Sequence, residues 1–201
     1  MSDTSSPQKG EIIREGGKVR LRRHVPANRE TFQRWYADEE VARLLRHDLR
    51  PLNERQSRSY FDTLILPMSA RGLAFAIHDK ESDRLIGTTA LTETADYAPD
   101  ARLFRIAIGE KDFWDRGMGT DATALVLDQG FECLPIQEVR LEVFAHNPRA
   151  IAVYERIGFS RTGEHYENLG PNRPQLHVFE MSIDRDRWLS GRTPGATLPR
   201  V

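Results

Sequence analysis

Two glycines one residue apart, Gly117 and Gly119, stand where a strand-like run (Phe104-Arg-Ile-Ala-Ile108) gives way, through a short loop, to an apolar helical run. A helix N-terminus leaves several backbone N–H groups without intrahelical partners and carries partial positive charge. Glycines let an anion approach those groups closely, so Arg116-Gly117-Met118-Gly119 can cradle a diphosphate. Taken alone the signal is modest, because Gly-x-Gly ahead of a helix also serves as a plain tight turn. No Gly-Lys-Ser/Thr follows, which excludes a nucleoside-triphosphate loop. The dinucleotide fingerprint is poor too. Ala122 replaces its third glycine, and Val143 and Phe144 occupy the strand end where an acidic residue belongs. ATP and NAD are disfavoured on these grounds.

A second constellation lies further along the chain. Asn147-Pro148 opens a helix, since Asn caps well and Pro suits the first helical position. Ile151, Tyr154 and Ile157 share one face, and Gly158 closes the helix. An exposed Asn147 amide could also bind a ligand amide. Tyr154, by itself, reads as a buried aromatic of that face.

The elements that must position these residues follow from periodicity. Val19-Arg-Leu-Arg22 alternates like a strand, and residues 28–37 read as a helix carrying Phe32, Trp35 and Tyr36. A helical stretch after Pro51 has Tyr60, Phe61, Leu64 and Ile65 as its apolar face. Runs around Phe75, over 85–91 and over 104–108 form a meander of strands joined by polar turns. A helix over 119–133, a strand at 139–143, the Asn147 helix and strands from Phe159 and over 177–183 complete the order. This predicts an α/β (α+β) chain with a mixed, mostly antiparallel sheet and a strand-helix-strand crossover in its second half.

Composition bounds the function classes. Of 201 residues 39% are hydrophobic and 29% charged, the balance of a folded domain and not of a disordered chain. Cations number 29 and anions 30, so there is no basic excess for binding nucleic acid. No run approaches the roughly 20 apolar residues of a membrane span, and the polar N-terminus carries no signal-peptide core. Cys133, a single cysteine, excludes an internal disulfide and a multi-cysteine metal site. We therefore expect a cytoplasmic protein with loose ends at 1–10 and 191–201 around one domain over 11–190. Cys133 is expected to be an inert core residue, and Trp188 to pack in the core, while a homodimer stays open.

Taken together and in this order, the two constellations closely resemble the GCN5-related N-acetyltransferase (GNAT) superfamily, in particular its ribosomal-protein alanine and polyamine acetyltransferase-like branch. The resemblance covers about Val19 to Ile183. Trp114-Asp-Arg-Gly-Met-Gly119 matches the family's acetyl-CoA loop, Gln/Arg-x-x-Gly-x-Gly/Ala, with Trp114 departing from the pattern. Asn147-Pro-Arg-Ala-Ile151 followed by Tyr154-Glu-Arg-Ile-Gly-Phe159 matches the second hallmark. The fold implied is the single-domain GNAT fold, with a central splayed parallel strand pair flanked by helices.

The resemblance implies roles residue by residue. The amides of Arg116, Gly117, Met118, Gly119 and Thr120 take the diphosphate of coenzyme A, Ala107-Ile108-Gly109 pairs with its pantetheine arm, and Asn147 binds the arm or its neighbourhood. A backbone N–H near Ile108 or Gly109 stabilises the oxyanion. Tyr154 protonates the departing thiolate. Glu93 is the preferred base, with Glu110 and His146 behind it; Tyr97, Asp96, Glu39 and Glu40 line the acceptor side. The implied reaction is direct transfer of acetyl from acetyl-CoA to a primary amine without a metal. The acceptor is a protein N-terminus, a polyamine or another small amine, with neither nucleic acid nor membrane as partner. The alternative is a non-catalytic acyl-CoA-binding regulatory module on the same fold.

Overall fold

Val19–Arg22 alternates buried apolar with half-exposed basic residues and forms a strand, β2. It follows an edge strand that periodicity did not reveal, β1 (Ile12–Glu15), across the turn Gly16-Gly17-Lys18. These come from a computed structural model, which describes residues 9–191. Most of the expected loose ends, residues 1–8 and 192–201, lie outside the described residues. Lys9 and Gly10 are tied in: Lys9 Nζ reaches Asp83 at 2.7 Å, and the Gly10 carbonyl accepts from Arg22 at 3.0 Å.

The helices are α1 (Arg29–Tyr36), α2 (Glu39–Leu45), α3 (Glu54–Tyr60), α4 (Leu66–Ala70), α5 (Met118–Cys133), α6 (Pro148–Ile157) and α7 (Arg185–Ser190). The remaining strands are β3 (Ala74–Asp79), β4 (Leu85–Thr92), β5 (Ala101–Ile108), β6 (Glu138–Phe144), β7 (Ser160–Glu167) and β8 (Leu176–Asp184). The chain packs as two compact units, residues 9–90 with 106–122 and residues 91–105 with 123–191.

In the first unit the strand order is β1-β2-β3-β4-β5, with β1 to β4 paired antiparallel. Phe32, Trp35 and Tyr36 of α1 pack with Phe61, Ile65 and Met68 over Ala74 and Ala90. Phe32 and Tyr36 stack with centroids 4.2 Å apart. Between α3 and α4, residues 61–65 form one π turn, in which Leu66 N–H reaches back to the Phe61 carbonyl. The extra residue turns Leu64 out of the expected apolar face, and it is 40% exposed.

In the second unit the order is β4-β5-β6-β8-β7. β5 and β6 run parallel over Ala101–Leu103 and Glu138–Arg140, and the ladder stops there, before Phe104 and Leu141. β6–β8 and β8–β7 are antiparallel. This is the mixed sheet with one parallel pair that the sequence predicted. Val139, Leu141, Val143, Met181 and Ile183 are buried on one sheet face. Trp188 is buried and donates from Nε1 to Asp128 at 3.0 Å, which makes it a core residue. Cys133 differs from expectation. It is the last residue of α5 and is exposed, because the helix's inward face ends on Phe131.

Candidate functional site

The Gly117 loop in the first unit is held in a conformation that a side chain resists. Asp115 and Gly117 both take left-handed backbone angles, with φ of 59° and 78°. The first intrahelical bond of α5 runs from Asp121 N–H to the Gly117 carbonyl at 3.1 Å. The amides of Met118, Gly119 and Thr120 therefore stand ahead of the helix's own ladder. A Cβ built at Gly119 meets nothing nearer than Ile108 Cγ1 at 4.0 Å, so this side of the loop has room. Arg116 lies over the Phe113 ring at 5.4 Å. Lys18 donates from Nζ to the Arg116 carbonyl at 2.7 Å. Amides ahead of the α5 ladder, an open flank and two cations fit a diphosphate.

The end of β5 is fixed from several sides. Gly109 and Glu110 both donate their N–H to the Ile86 carbonyl, at 2.9 and 3.1 Å. This corrects one expectation: the Gly109 amide is already spent, so of the two oxyanion donors considered only Ile108 remains. By strand alternation Ala107 faces β4, where its carbonyl would lie 2.4 Å from a Cβ built at Gly87, and Ile106 and Ile108 turn to the other edge. Trp114, which departs from the family pattern, donates from Nε1 to the Ile108 carbonyl at 2.7 Å. Its indole thus caps the strand end. Glu110 is buried and accepts from Trp35 Nε1 at 2.7 Å and from Arg34 and Arg84. A carboxylate so fully engaged is a brace for the strand end and no free base.

Several predicted residues lie in the second unit. Asn147 caps α6 as expected, its Oδ1 accepting from Ala150 N–H at 3.2 Å. That bond occupies the oxygen and not the amide nitrogen. Tyr154 is buried, with its ring edge-on to Phe104 at 6.3 Å and to Phe159 at 5.7 Å. Burial pushes its phenol well above the ordinary value, so it stays protonated at neutral pH. Glu93 follows β4 directly. It is 72% exposed and accepts from Arg102 at 3.1 Å. His146 is exposed, with its ring against Phe144. Glu39 and Glu40 open α2 in the first unit, where Lys111 bridges Glu40 to Asp38 at 3.0 and 2.8 Å.

A carboxylate-rich face of the second unit escaped the sequence reading. Glu142 of β6 sits opposite Glu180 of β8 in register. His165 of β7 bonds Glu180 through Nδ1 at 3.0 Å and Glu167 through Nε2 at 3.2 Å. Partial burial works against the His165 charge, but Glu167 and Glu180 outweigh it and its pKa is raised. Tyr97 lies under the Arg140 guanidinium at 5.0 Å. Its phenol is pushed up by burial first, and then by Glu142 and Glu180. The alternation Arg140-Leu-Glu142 was the available signal, but the β7–β8 register that adds His165 was not readable from it.

The family model for the acetyltransferase (GNAT) domain matches residues 18–160. The chain belongs to the GNAT acetyltransferase family. Spermidine N(1)-acetyltransferase of Escherichia coli K12 is 32% identical over 96 residues, 47% of this chain and 51% of that protein. The match thus spans about half the length of that relative. An uncharacterized N-acetyltransferase, p20, of Bacillus licheniformis is 22% identical over 82% of this chain and 92% of its own. Among solved structures, spermidine N-acetyltransferase from Vibrio cholerae in complex with CoA and spermine superposes with a TM-score of 0.71. It covers 85% of this chain and 98% of its own, at 20% identity. A GNAT-family acetyltransferase from Bacillus anthracis gives a TM-score of 0.72 at 13% identity, over 86% of this chain and 98% of its own. These likenesses establish the GNAT fold. Among the described residues no helix is long and apolar enough to cross a membrane, and no cluster of His, Cys, Asp and Glu is built to hold a metal ion.

Proposed function

We propose that the chain is an acetyl-CoA-dependent N-acetyltransferase acting on a small cationic amine of the polyamine class. The observation that carries this reading is the start of α5, where Gly117 is left-handed and three amides precede the first intrahelical bond. Acetyl-CoA would supply the acetyl group as a thioester. The Arg116–Thr120 amides would hold its diphosphate, the outward edge of β5 at Ile106 and Ile108, and not at Ala107 or Gly109, would bind the amide-bearing arm, and Asn147 would add its amide nitrogen. Ile108 N–H would donate to the carbonyl oxygen as charge develops there. Tyr154 would donate its phenolic proton to the leaving sulfur. The carboxylates of Glu142, Glu167 and Glu180 favour a positively charged acceptor. The Escherichia coli and Vibrio cholerae relatives are spermidine N-acetyltransferases, which supports the same acceptor class.

The test is a panel of amines with detection of thiol release: spermidine and spermine, an N-terminal peptide, and an aminoglycoside. Release is expected with the polyamines first. Coenzyme A binding without acetyl transfer to any amine would establish the non-catalytic module instead.

Glu93 is assigned the base role through a relayed water. An alkylammonium has an ordinary pKa of about 10.4 and must lose its proton before attack. Glu93→Gln is expected to lower kcat/KM for the amine about 10²-fold, at the low end for a lost general base, while KM for acetyl-CoA holds. Unchanged amine kinetics would remove Glu93 from the mechanism and leave Glu142 as the nearest alternative in kind.

A further inference from the structure

The turn between β1 and β2 reaches the diphosphate loop through two residues that no sequence motif singled out. Asp121 lies in the first turn of α5, where its carboxylate would repel an anion bound at the helix start. That carboxylate is fully turned to the hairpin. Its Oδ2 accepts from Lys18 N–H at 2.7 Å and Val19 N–H at 2.9 Å, and its Oδ1 from Gly17 N–H at 3.3 Å. Gly16 permits the approach, since a Cβ there would sit 2.5 Å from Oδ2. The turn is closed by Gly16 N–H on the Val19 carbonyl at 2.9 Å.

This anchoring delivers Lys18 to the loop. Its ammonium donates to the Arg116 carbonyl at 2.7 Å and would lie 2.9 Å from a Cβ at Gly117. Gly117 thus leaves space for a cation as well as for its own backbone angle. The acceptor is a neutral carbonyl and not a carboxylate. One of the three ammonium protons is used, and two remain for phosphate oxygens.

We propose that Lys18 is a binding residue for the diphosphate of the acyl carrier, and that Asp121 is the positioning residue that holds it there through the hairpin. The inference rests on the cradle reading given above. It commits to the diphosphate, and not to a more remote phosphate, because Lys18 bonds the loop itself.

The experiment is equilibrium binding of coenzyme A and of dephospho-coenzyme A, which lacks the 3′-phosphate, to the full chain at low and high salt. Lys18→Met is expected to weaken both ligands about fivefold at low salt, with the difference shrinking at high salt because the side chain is exposed. Lys18→Arg should stay within about twofold of wild type, and the thermal midpoint of Lys18→Met should move by no more than about 2 °C, since the side chain is exposed. Asp121→Asn should also weaken binding, and Lys18→Met/Asp121→Asn should bind no more weakly than the weaker single variant. A Lys18→Met chain that binds coenzyme A like wild type overturns the proposal, as does a loss seen with coenzyme A alone. Wild type with no affinity for either ligand would sink the cradle reading itself.

Discussion

Tyr154→Phe is expected to cut kcat for acetyl transfer by about 10²-fold or more while KM for acetyl-CoA moves little, the pattern of a lost general acid. The substitution removes one oxygen and keeps the ring, so the edge-on packing on Phe104 and Phe159 survives. Stability should therefore change by less than about 1 kcal/mol, which separates a chemical effect from a folding one. The phenol is raised by burial, whereas the thiol it would protonate has an ordinary pKa of about 8.5. At rest the transfer runs uphill. The group would therefore act as a hydrogen-bond donor that strengthens as charge builds on sulfur, and the proton would follow. Single-turnover rates with a polyamine acceptor, beside direct binding of coenzyme A, check the split. A variant with wild-type turnover would remove Tyr154 from the mechanism.

The same burial has a consequence for pH. The folded chain keeps the Tyr154 proton to higher pH than the unfolded chain, whose phenol titrates near 10.0. The unfolded state then binds fewer protons above that value, so stability is intact below it and falls as pH rises beyond it. Tyr154→Phe removes this contribution, and its alkaline loss of stability should be the shallower of the two.

Much of this architecture is legible in local pattern. Asn147-Pro148 and Gly158 bracket α6 because capping chemistry acts over a few residues. Strands β2, β6 and β8 show themselves by alternation, each having one buried face. What escaped has a physical reason in each case. β1 is an edge strand with Ile12 44% exposed, so it carries no alternation to detect. α2 shows charge at its start that reads as a solvated face, although Asp38 caps it through Glu40 and Val41 N–H. Glu110 looked like a weak base candidate, yet its partners Trp35 and Arg34 lie 75 and 76 residues away in sequence. Asp121 meets Lys18 across 103 residues. Pairings at that separation are set by the tertiary fold, and no local propensity announces them. The positions of Gly117 and Tyr154 could be read because one lies at a helix end and the other on one helix face.

Gly109→Ala is expected to be strongly destabilising. A Cβ at this position would lie 2.1 Å from Trp35 Cγ and 2.2 and 2.5 Å from its neighbouring ring atoms. Neither side can retreat at low cost. The backbone of residue 109 is pinned by its N–H to Ile86, and Glu110 bonds the same carbonyl. Trp35 is 2% exposed, and its indole N–H is held by the buried Glu110 carboxylate. Turning the ring away would leave that carboxylate short of a donor in a dry place, which adds to the steric cost. Overpacking of this kind costs about 3 kcal/mol, the upper end of the usual range, and a lost buried bond adds to it. For a chain of this length the thermal midpoint should fall by about 10 °C. A midpoint within about 2 °C of wild type would mean that the ring does not pack on residue 109 as described. Combining the change with Trp35→Ala isolates the cause. That substitution is itself costly, but it removes the atoms the methyl strikes, so the added cost of Gly109→Ala should nearly vanish in its background. An undiminished cost there would place the strain in the backbone of β5 and not against the indole. The strand end that would bind the acyl carrier would then owe its shape to main-chain bonding alone.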